Sequence, residues 1–201
     1  MNVFKKFPKV FWAANTMELF ERWSWYGVFN VLAIYLTGST DGGGLGFSQT
    51  QKGDIMGIVT AVLYFLPVFT GTLADKFGFK RMLTIAFVIL SSGYYFMGEV
   101  TNYQTMFWVF MYVAIGAALF KPVISATIAK STDATTSSIG FGVFYMMVNI
   151  GGFIGPFFSS SLRNFSWHYV FWMASGIILL NLIILIFFYK EPKRVATTEP
   201  L

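Results

Sequence analysis

Long apolar stretches separated by short polar ones dominate the chain. They mark six segments, at about 11–36, 53–73, 82–98, 105–128, 139–160 and 168–189, each near the roughly 20 residues that a helix needs to cross a bilayer. Lipid offers backbone N–H and C=O groups no hydrogen-bond partner, so we expect every segment to be helical. The pattern predicts an all-α integral membrane fold of six transmembrane helices, with a bundle at 1–189 and a basic cytoplasmic tail or linker start at 190–201.

Composition supports this fold class and excludes several functions. Of the 201 residues, 56% are hydrophobic and 11% are charged, which is typical of a membrane protein and not of a soluble domain. The net charge of +5 does not predict a nucleic-acid partner, because most of the basic residues lie between the apolar spans. Cysteine is absent, which excludes disulfides and thiol catalysis.

The basic residues also predict how the chain is oriented. The positive-inside rule places the basic loops in the cytoplasm, so both termini are expected there. One set of loops and ends holds Lys5, Lys6, Lys9, Lys76, Lys80, Arg81, Lys130, Lys190, Lys193 and Arg194, whereas the opposite loops hold Lys52 and Arg163.

The first span carries charge in the middle of an apolar helix. Glu18 and Arg22 are four residues apart, with Glu21 one turn above Glu18 and Tyr26 one turn beyond Arg22, so their side chains share one stripe. A charge near the bilayer centre costs about 3 kcal/mol or more on insertion scales, so such groups usually face a bundle interior and pair with each other. The stripe is therefore either an inert ion pair or part of a transport pathway, and intramembrane ionisable groups favour the second.

The fourth and fifth spans add polar groups of their own. Lys121 lies at a depth similar to that of Glu18 and precedes Pro122, which should kink the helix; the lysine either joins the acids of span 1 or snorkels to the headgroups. In span 5, Gly151 and Gly155 form a close-packing face, and Asn149 makes either an interhelical hydrogen bond or a ligand contact. Asn181 in span 6 is expected to be structural.

No metal site or catalytic centre is predicted. His168 is the only histidine and lies where a loop enters span 6, so an interfacial position is expected. Glu18 and Glu21 have no serine–histidine pair beside them, which makes an enzyme the weakest of the function classes.

The loop after span 2 resembles the marker loop of the major facilitator superfamily. It places Gly71, Asp75, Gly78 and the basic pair Lys80 and Arg81 at the spacing of that motif. Physically, Gly71 would allow close helix contact, Gly78 a tight reversal, and Asp75 a helix cap or an ion pair.

Three further motifs resemble the proton-dependent oligopeptide transporter (POT) family of that superfamily. They are the Glu18 to Arg22 segment ending in Tyr26-Gly27, the Lys121-Pro122 segment with Ser125, and Phe144-Tyr145 followed by Asn149 and Gly151. Together with the loop, they lie in the family's order on the family's helices.

The resemblance implies symport of a proton with a di- or tripeptide by alternating access, across the plasma (inner) membrane. It implies proton coupling at Glu18, Glu21 and Lys121, and no cofactor other than the coupling proton. It also implies substrate binding by Arg22, Tyr26, Tyr64, Lys121 and Asn149.

Two features limit what the resemblance implies. Phe29 stands where many family members have an arginine, and Trp25 replaces a tyrosine, so another small solute is an alternative substrate and a non-transporting membrane subunit an alternative role. Facilitators have two six-helix halves, each a 3+3 inverted repeat. We therefore expect an N-terminal half whose C-terminal partner half is missing and which does not transport alone. Its charged stripe and Gly151–Gly155 face would then lack an opposing surface.

Overall fold

The computed structural model describes residues 3–191 and is helical almost throughout that range. The helices are α1 (Lys9–Thr37), α2 (Gln49–Phe65), α3 (Pro67–Phe77), α4 (Phe79–Glu99), α5 (Tyr103–Lys130), α6 (Ser137–Leu162) and α7 (Trp167–Phe188). Short 3-10 turns lie at Val3–Lys6 and Thr40–Gly42. The all-α fold class is confirmed, whereas most of the predicted tail lies outside the described residues.

Local sequence explains where several helices begin. Ser48 forms a capping box with Gln51 at the start of α2, and the side chain of Asn102 accepts a hydrogen bond from the amide of Thr105 at the start of α5. Both satisfy amides that the first helical turn leaves without partners. Between α3 and α4, Gly78 has φ 94° and ψ 144°, a conformation open chiefly to glycine, and there the chain reverses as expected.

The second predicted span is not one helix. It divides at Leu66 into α2 and α3, which meet at a 45° bend. Pro67 causes the break, because its nitrogen cannot donate a hydrogen bond and its ring clashes with the preceding turn. By contrast, α5 continues through Pro122 as one helix.

Four helices, α4 to α7, are long and apolar enough to cross a membrane, and the bent α2–α3 pair qualifies as a fifth span. The 29 residues of α1 would reach about 43 Å at 1.5 Å per residue. Although it is long enough to cross a membrane, α1 is less apolar than the other spans and does not qualify by composition. It carries the charged residues Glu18, Glu21 and Arg22.

Helix α1 lies in the middle of the bundle. It packs along α6 and α7 and also touches α5 and α2, while α4 fills the space between α5 and α7. Ser24 donates a hydrogen bond to the carbonyl of Ala174 at 3.1 Å, and Asn181 donates to the carbonyl of Met17 at 2.9 Å. These bonds join α1 to α7, in agreement with the structural role expected for Asn181.

The α1–α6 contact depends on glycine. A Cβ atom on Gly151 would lie 2.5 Å from the carbonyl oxygen of Leu19, and one on Gly155 would clash with the carbonyl oxygen of Trp23 and lie 2.7 Å from the nitrogen of Gly27. The close-packing face predicted in span 5 therefore exists. The expectation that it lacks an opposing surface is wrong, because α1 of the same chain covers it.

Candidate functional site

The two carboxylates of α1 lie inside the bundle, and the side chains of Glu18 and Glu21 are both fully buried. Lys121 approaches from α5 and places its Nζ atom 2.5 Å from Oε1 of Glu18. Because of this contact, the lysine pairs inward with the acid instead of extending to the headgroups, although its side chain is 37% exposed. The structure thus joins residues from two helices that are far apart in sequence.

Arg22 holds the second carboxylate. Its Nη2 atom lies 2.5 Å from Oε2 of Glu21, its Nε atom donates to the same oxygen at 2.6 Å, and Nε also lies 3.6 Å from Oε1 of Glu18. The four groups form one neutral cluster when all are ionised. Pairing of this kind offsets the large cost of removing charge from water.

The pairing leaves one oxygen of each carboxylate without a hydrogen-bond donor. Oε2 of Glu18 and Oε1 of Glu21 are buried and have no hydrogen-bond partner among the described residues. A buried acceptor without a donor costs free energy, and each carboxylate of the cluster combines one paired oxygen with one unpaired oxygen.

Aromatic rings border both cations. Nζ of Lys121 lies 5.0 Å from the ring centre of Phe144, and Cζ of Arg22 lies 5.7 Å from that of Tyr26. Rings at this range attract a cation by their quadrupole. The two rings therefore add an attraction for Arg22 and Lys121 that does not depend on the carboxylates.

A cavity of about 420 Å³ lies between α1 and α6, and it borders the cluster through Tyr26, whose ring lies beside Arg22. Tyr26 and Asn149, two of the predicted substrate residues, line it, together with Asn30, Val148, Gly152 and Phe153. The amide of Asn149 donates to the carbonyl of Tyr145 on its own helix, so the interhelical hydrogen bond considered for it is not found.

Sequence reasoning missed Asn30 and Tyr94. Asn30 follows Tyr26 by four residues, so extending the stripe from Glu18 by one further turn could have found it. Tyr94 of α4 is buried, its hydroxyl lacks a hydrogen-bond partner among residues 3–191, and it lies within electrostatic range of Glu21. No sequence signal points to it, because a single tyrosine in an apolar helix is ordinary.

The structure does not bring Tyr64 into this arrangement. Its side chain on α2 is 74% exposed, and it is not among the residues that line the cavity. The roles assigned to Tyr64 and to the other site residues stay predictions.

The marker loop contacts α5 and α7. Oδ1 of Asp75 lies 3.9 Å from Nζ of Lys130, and Lys80 donates to the carbonyl of Ile186 at 3.4 Å. Asp75 therefore makes the ion pair and not the cap, since α4 begins without a side-chain cap. Gly71 meets its neighbour Pro122 only at ordinary contact distance, so close packing does not require glycine there. Arg81 is exposed.

No metal site accompanies the cluster. Within residues 3–191, no group of three or more His, Cys, Asp or Glu side chains is arranged to hold a metal ion. His168 instead contacts the Oγ atom of Ser166 at 3.3 Å, near the start of α7.

Comparison with known proteins agrees with the resemblances found in the sequence. The family profile described as Major Facilitator Superfamily matches residues 16–200. Dipeptide and tripeptide permease A of Pectobacterium carotovorum is 29% identical over 94% of this chain, and peptide transporter YePEPT of Yersinia enterocolitica is 30% identical over 83%. The chain spans little more than a third of these relatives, 37% and 34% of their lengths.

A solved structure shows the same arrangement of helices. The crystal structure of a peptide transporter POT in complex with sulfate matches with a TM-score of 0.83 and 26% identity. The match covers 89% of this chain and 37% of that one. The resemblance to the POT family is therefore confirmed, and so is the superfamily fold.

Proposed function

Because the chain belongs to the Major Facilitator Superfamily and is similar to its POT transporters, we propose that it forms the N-terminal six-helix half of a proton-coupled symporter for di- and tripeptides. The transporter works by alternating access in the plasma (inner) membrane, with both termini cytoplasmic. The relatives named above are transporters, and a transport role without enzymatic activity is part of the proposal.

The observation that carries the proposal is the Lys121–Glu18 pair. Its 2.5 Å contact ties a partly exposed cation to a fully buried acid. When Glu18 takes up a proton, the lysine loses its counter-ion and becomes free to bind an anion. The carboxylate of a short peptide is an anion of the required kind.

Binding of the proton and binding of the peptide then favour each other. A proton that releases Lys121 raises the affinity for a carboxylate, and linkage requires the carboxylate to raise the proton affinity by the same factor. Arg22 contributes a second cation beside the cavity through its contact with Tyr26. Tyr26 and Asn149 line the space in which the peptide would lie. Tyr64 is included as a substrate residue from the family resemblance alone, because its exposed side chain on α2 does not line that space.

A complete site also needs a second surface. Facilitators bind their substrates between two six-helix halves, so we propose that a C-terminal half provides the groups that bind the peptide amino terminus. Residues 1–201 alone would then not transport. Proton-driven peptide uptake into liposomes by that segment, with no second chain, would contradict this part of the proposal.

Uptake into liposomes tests the function directly. The full-length protein is reconstituted and given labelled dialanine with an inward proton gradient. We expect accumulation that disappears when an ionophore collapses the gradient. Accumulation of equal size with and without the gradient would refute proton coupling, and a complete lack of binding or uptake would refute the substrate class.

One observation favours the alternative of another small solute. Trp25 and Phe29 stack on each other with ring centres 5.2 Å apart, and Trp25 also stacks on Phe110 at 6.1 Å. This aromatic group occupies positions where many family members have a tyrosine and an arginine, so one cation is missing. Competition of labelled dialanine uptake by tripeptides and by single amino acids distinguishes the two: a peptide transporter is inhibited by peptides alone.

A further inference from the structure

A second cavity, of about 810 Å³, lies between the first turns of α1 and the last turns of α7. It is separate from the ionic cluster, and neither the proposed transport cycle nor the family motifs use it. Its volume falls within the roughly 300–1,000 Å³ typical of small-molecule sites. Residues that characterise its lining are Lys9, Trp12, Thr16, Ile184, Phe187 and Lys190.

The lining combines an apolar wall with positive charge. Phe187 is 74% exposed, and both Lys9 and Lys190 are exposed. Within residues 3–191, none of the residues that line the cavity is acidic. The nearest acid along the chain, Glu191, accepts a hydrogen bond from the amide of Phe79 at 2.7 Å and is thereby held toward α4.

The position of the groove matches the edge of a bilayer. Helix α1 starts at Lys9 with no side-chain cap, so its first amides and the positive end of its dipole add to the charge of the lysines. Trp12, 38% exposed, lies one turn further on, as indoles do at the headgroup level. Basic pockets between transmembrane helices are known binding places for anionic lipid headgroups.

We propose that this groove binds an anionic phospholipid. The phosphate lies between Lys9 and Lys190, where the lipid's negative charge meets two cations. One acyl chain lies along Ile184 and Phe187. A zwitterionic lipid carries its own compensating charge and is held less tightly, and a free anion lacks the chain that fills the apolar part.

The amount of lipid that the purified protein retains tests the proposed site. The full-length protein is purified from membranes that contain equal amounts of phosphatidylglycerol and phosphatidylcholine, and bound lipid is counted by native mass spectrometry. We expect preferential retention of phosphatidylglycerol. Lys9→Gln and Lys190→Gln should each lower it about fivefold, which corresponds to about 1 kcal/mol per lysine.

Further variants separate this site from general attraction to negative lipids. Lys52→Gln and Arg163→Gln, made singly, each remove one positive charge from the opposite loops and should leave retention unchanged. Thr16→Trp fills the groove without changing charge and should lower retention of phosphatidylglycerol. Equal retention of both lipids, an unchanged count in the Lys9 and Lys190 variants, or full displacement by glycerol phosphate would overturn the proposal.

Discussion

Nζ of Lys121 lies 2.5 Å from Oε1 of Glu18, although the two residues are 103 positions apart in the chain. The pair connects α5 to α1. Because only the acid is fully buried, the lysine can leave the pair more easily than the carboxylate can. This asymmetry leads to the first two predictions.

Lys121→Ala should abolish proton-driven uptake while the protein still inserts and folds. The change leaves Arg22, 3.6 Å away, as the nearest cation of Glu18 and removes the group that a protonated Glu18 would release. Uptake of labelled dialanine by reconstituted protein is the measurement. Lys130→Ala is the matched control on the same helix, because its exposed pair with Asp75 at 3.9 Å should contribute about 0–1 kcal/mol. Unchanged uptake in Lys121→Ala would refute the assigned role.

Glu18→Gln and Glu21→Gln should differ in stability. Without Glu21, the guanidinium of Arg22, only 13% exposed, loses its closest partner, and breaking a buried pair in this way costs about 3–5 kcal/mol. Without Glu18, the side chain of Lys121, which is 37% exposed, can turn toward solvent, so the loss should be smaller. Thermal unfolding in detergent compares the two variants.

The same pair of variants also tests proton coupling. Glu18→Gln should lose gradient-driven accumulation but retain exchange of labelled for unlabelled peptide, because Lys121 stays available for the carboxylate. A Glu18→Gln protein that still accumulates peptide against a gradient would contradict the assigned coupling role. A Glu18→Gln protein that unfolds at a lower temperature than Glu21→Gln would contradict the predicted difference in stability.

Gly155→Ala should destabilise the bundle. The added methyl group would meet the backbone of Trp23 and Gly27 on α1, and overpacking of this kind typically costs about 1–3 kcal/mol. Gly142→Ala on the same helix is the control, because a Cβ there meets nothing within 4 Å; it should be neutral or slightly stabilising. Equal unfolding temperatures for the two variants would mean that α1 and α6 are not packed as described.

Gly78→Ala should weaken the α3–α4 turn. A residue with a side chain at φ 94° costs about 1–3 kcal/mol in strain. Gly53→Ala, in α2 where a Cβ has free space, is the comparison and should not lower stability. Limited proteolysis at the turn and thermal unfolding report the difference, and equal behaviour of the two variants would argue against a constrained turn.

Asp133 should make the α5–α6 loop sensitive to acid. Hydrogen bonds from the side chains of Thr135 and Thr136, and from the Thr135 amide, lower the pKa of Asp133 from 3.8 to about 2. Because the folded state holds the charged form, the stabilisation is complete above the ordinary pKa and is lost as pH falls toward 2. The difference in unfolding temperature between wild type and Asp133→Ala should therefore shrink between about pH 5 and pH 2. A difference that stays constant over that range would contradict the assignment.

Much of the fold could be predicted because lipid restricts which secondary structures can cross a membrane. Apolar length and the spacing of polar residues were enough for the helices and for the close-packing face of Gly151. They did not predict the division of span 2, because a proline inside an apolar stretch is tolerated in some helices, as Pro122 is in α5, and breaks others, as Pro67 does.

The sequence by itself determined the class of protein and the charged residues that needed partners, because the cost of charge in an apolar helix is local and can be read from spacing. Only the tertiary structure decided the pairing: Lys121 with Glu18, Arg22 with Glu21, and Tyr64 away from the cavity. Such pairing depends on how helices distant in sequence rotate and cross. Their relative rotation follows from side-chain packing over the whole bundle, which no single segment contains.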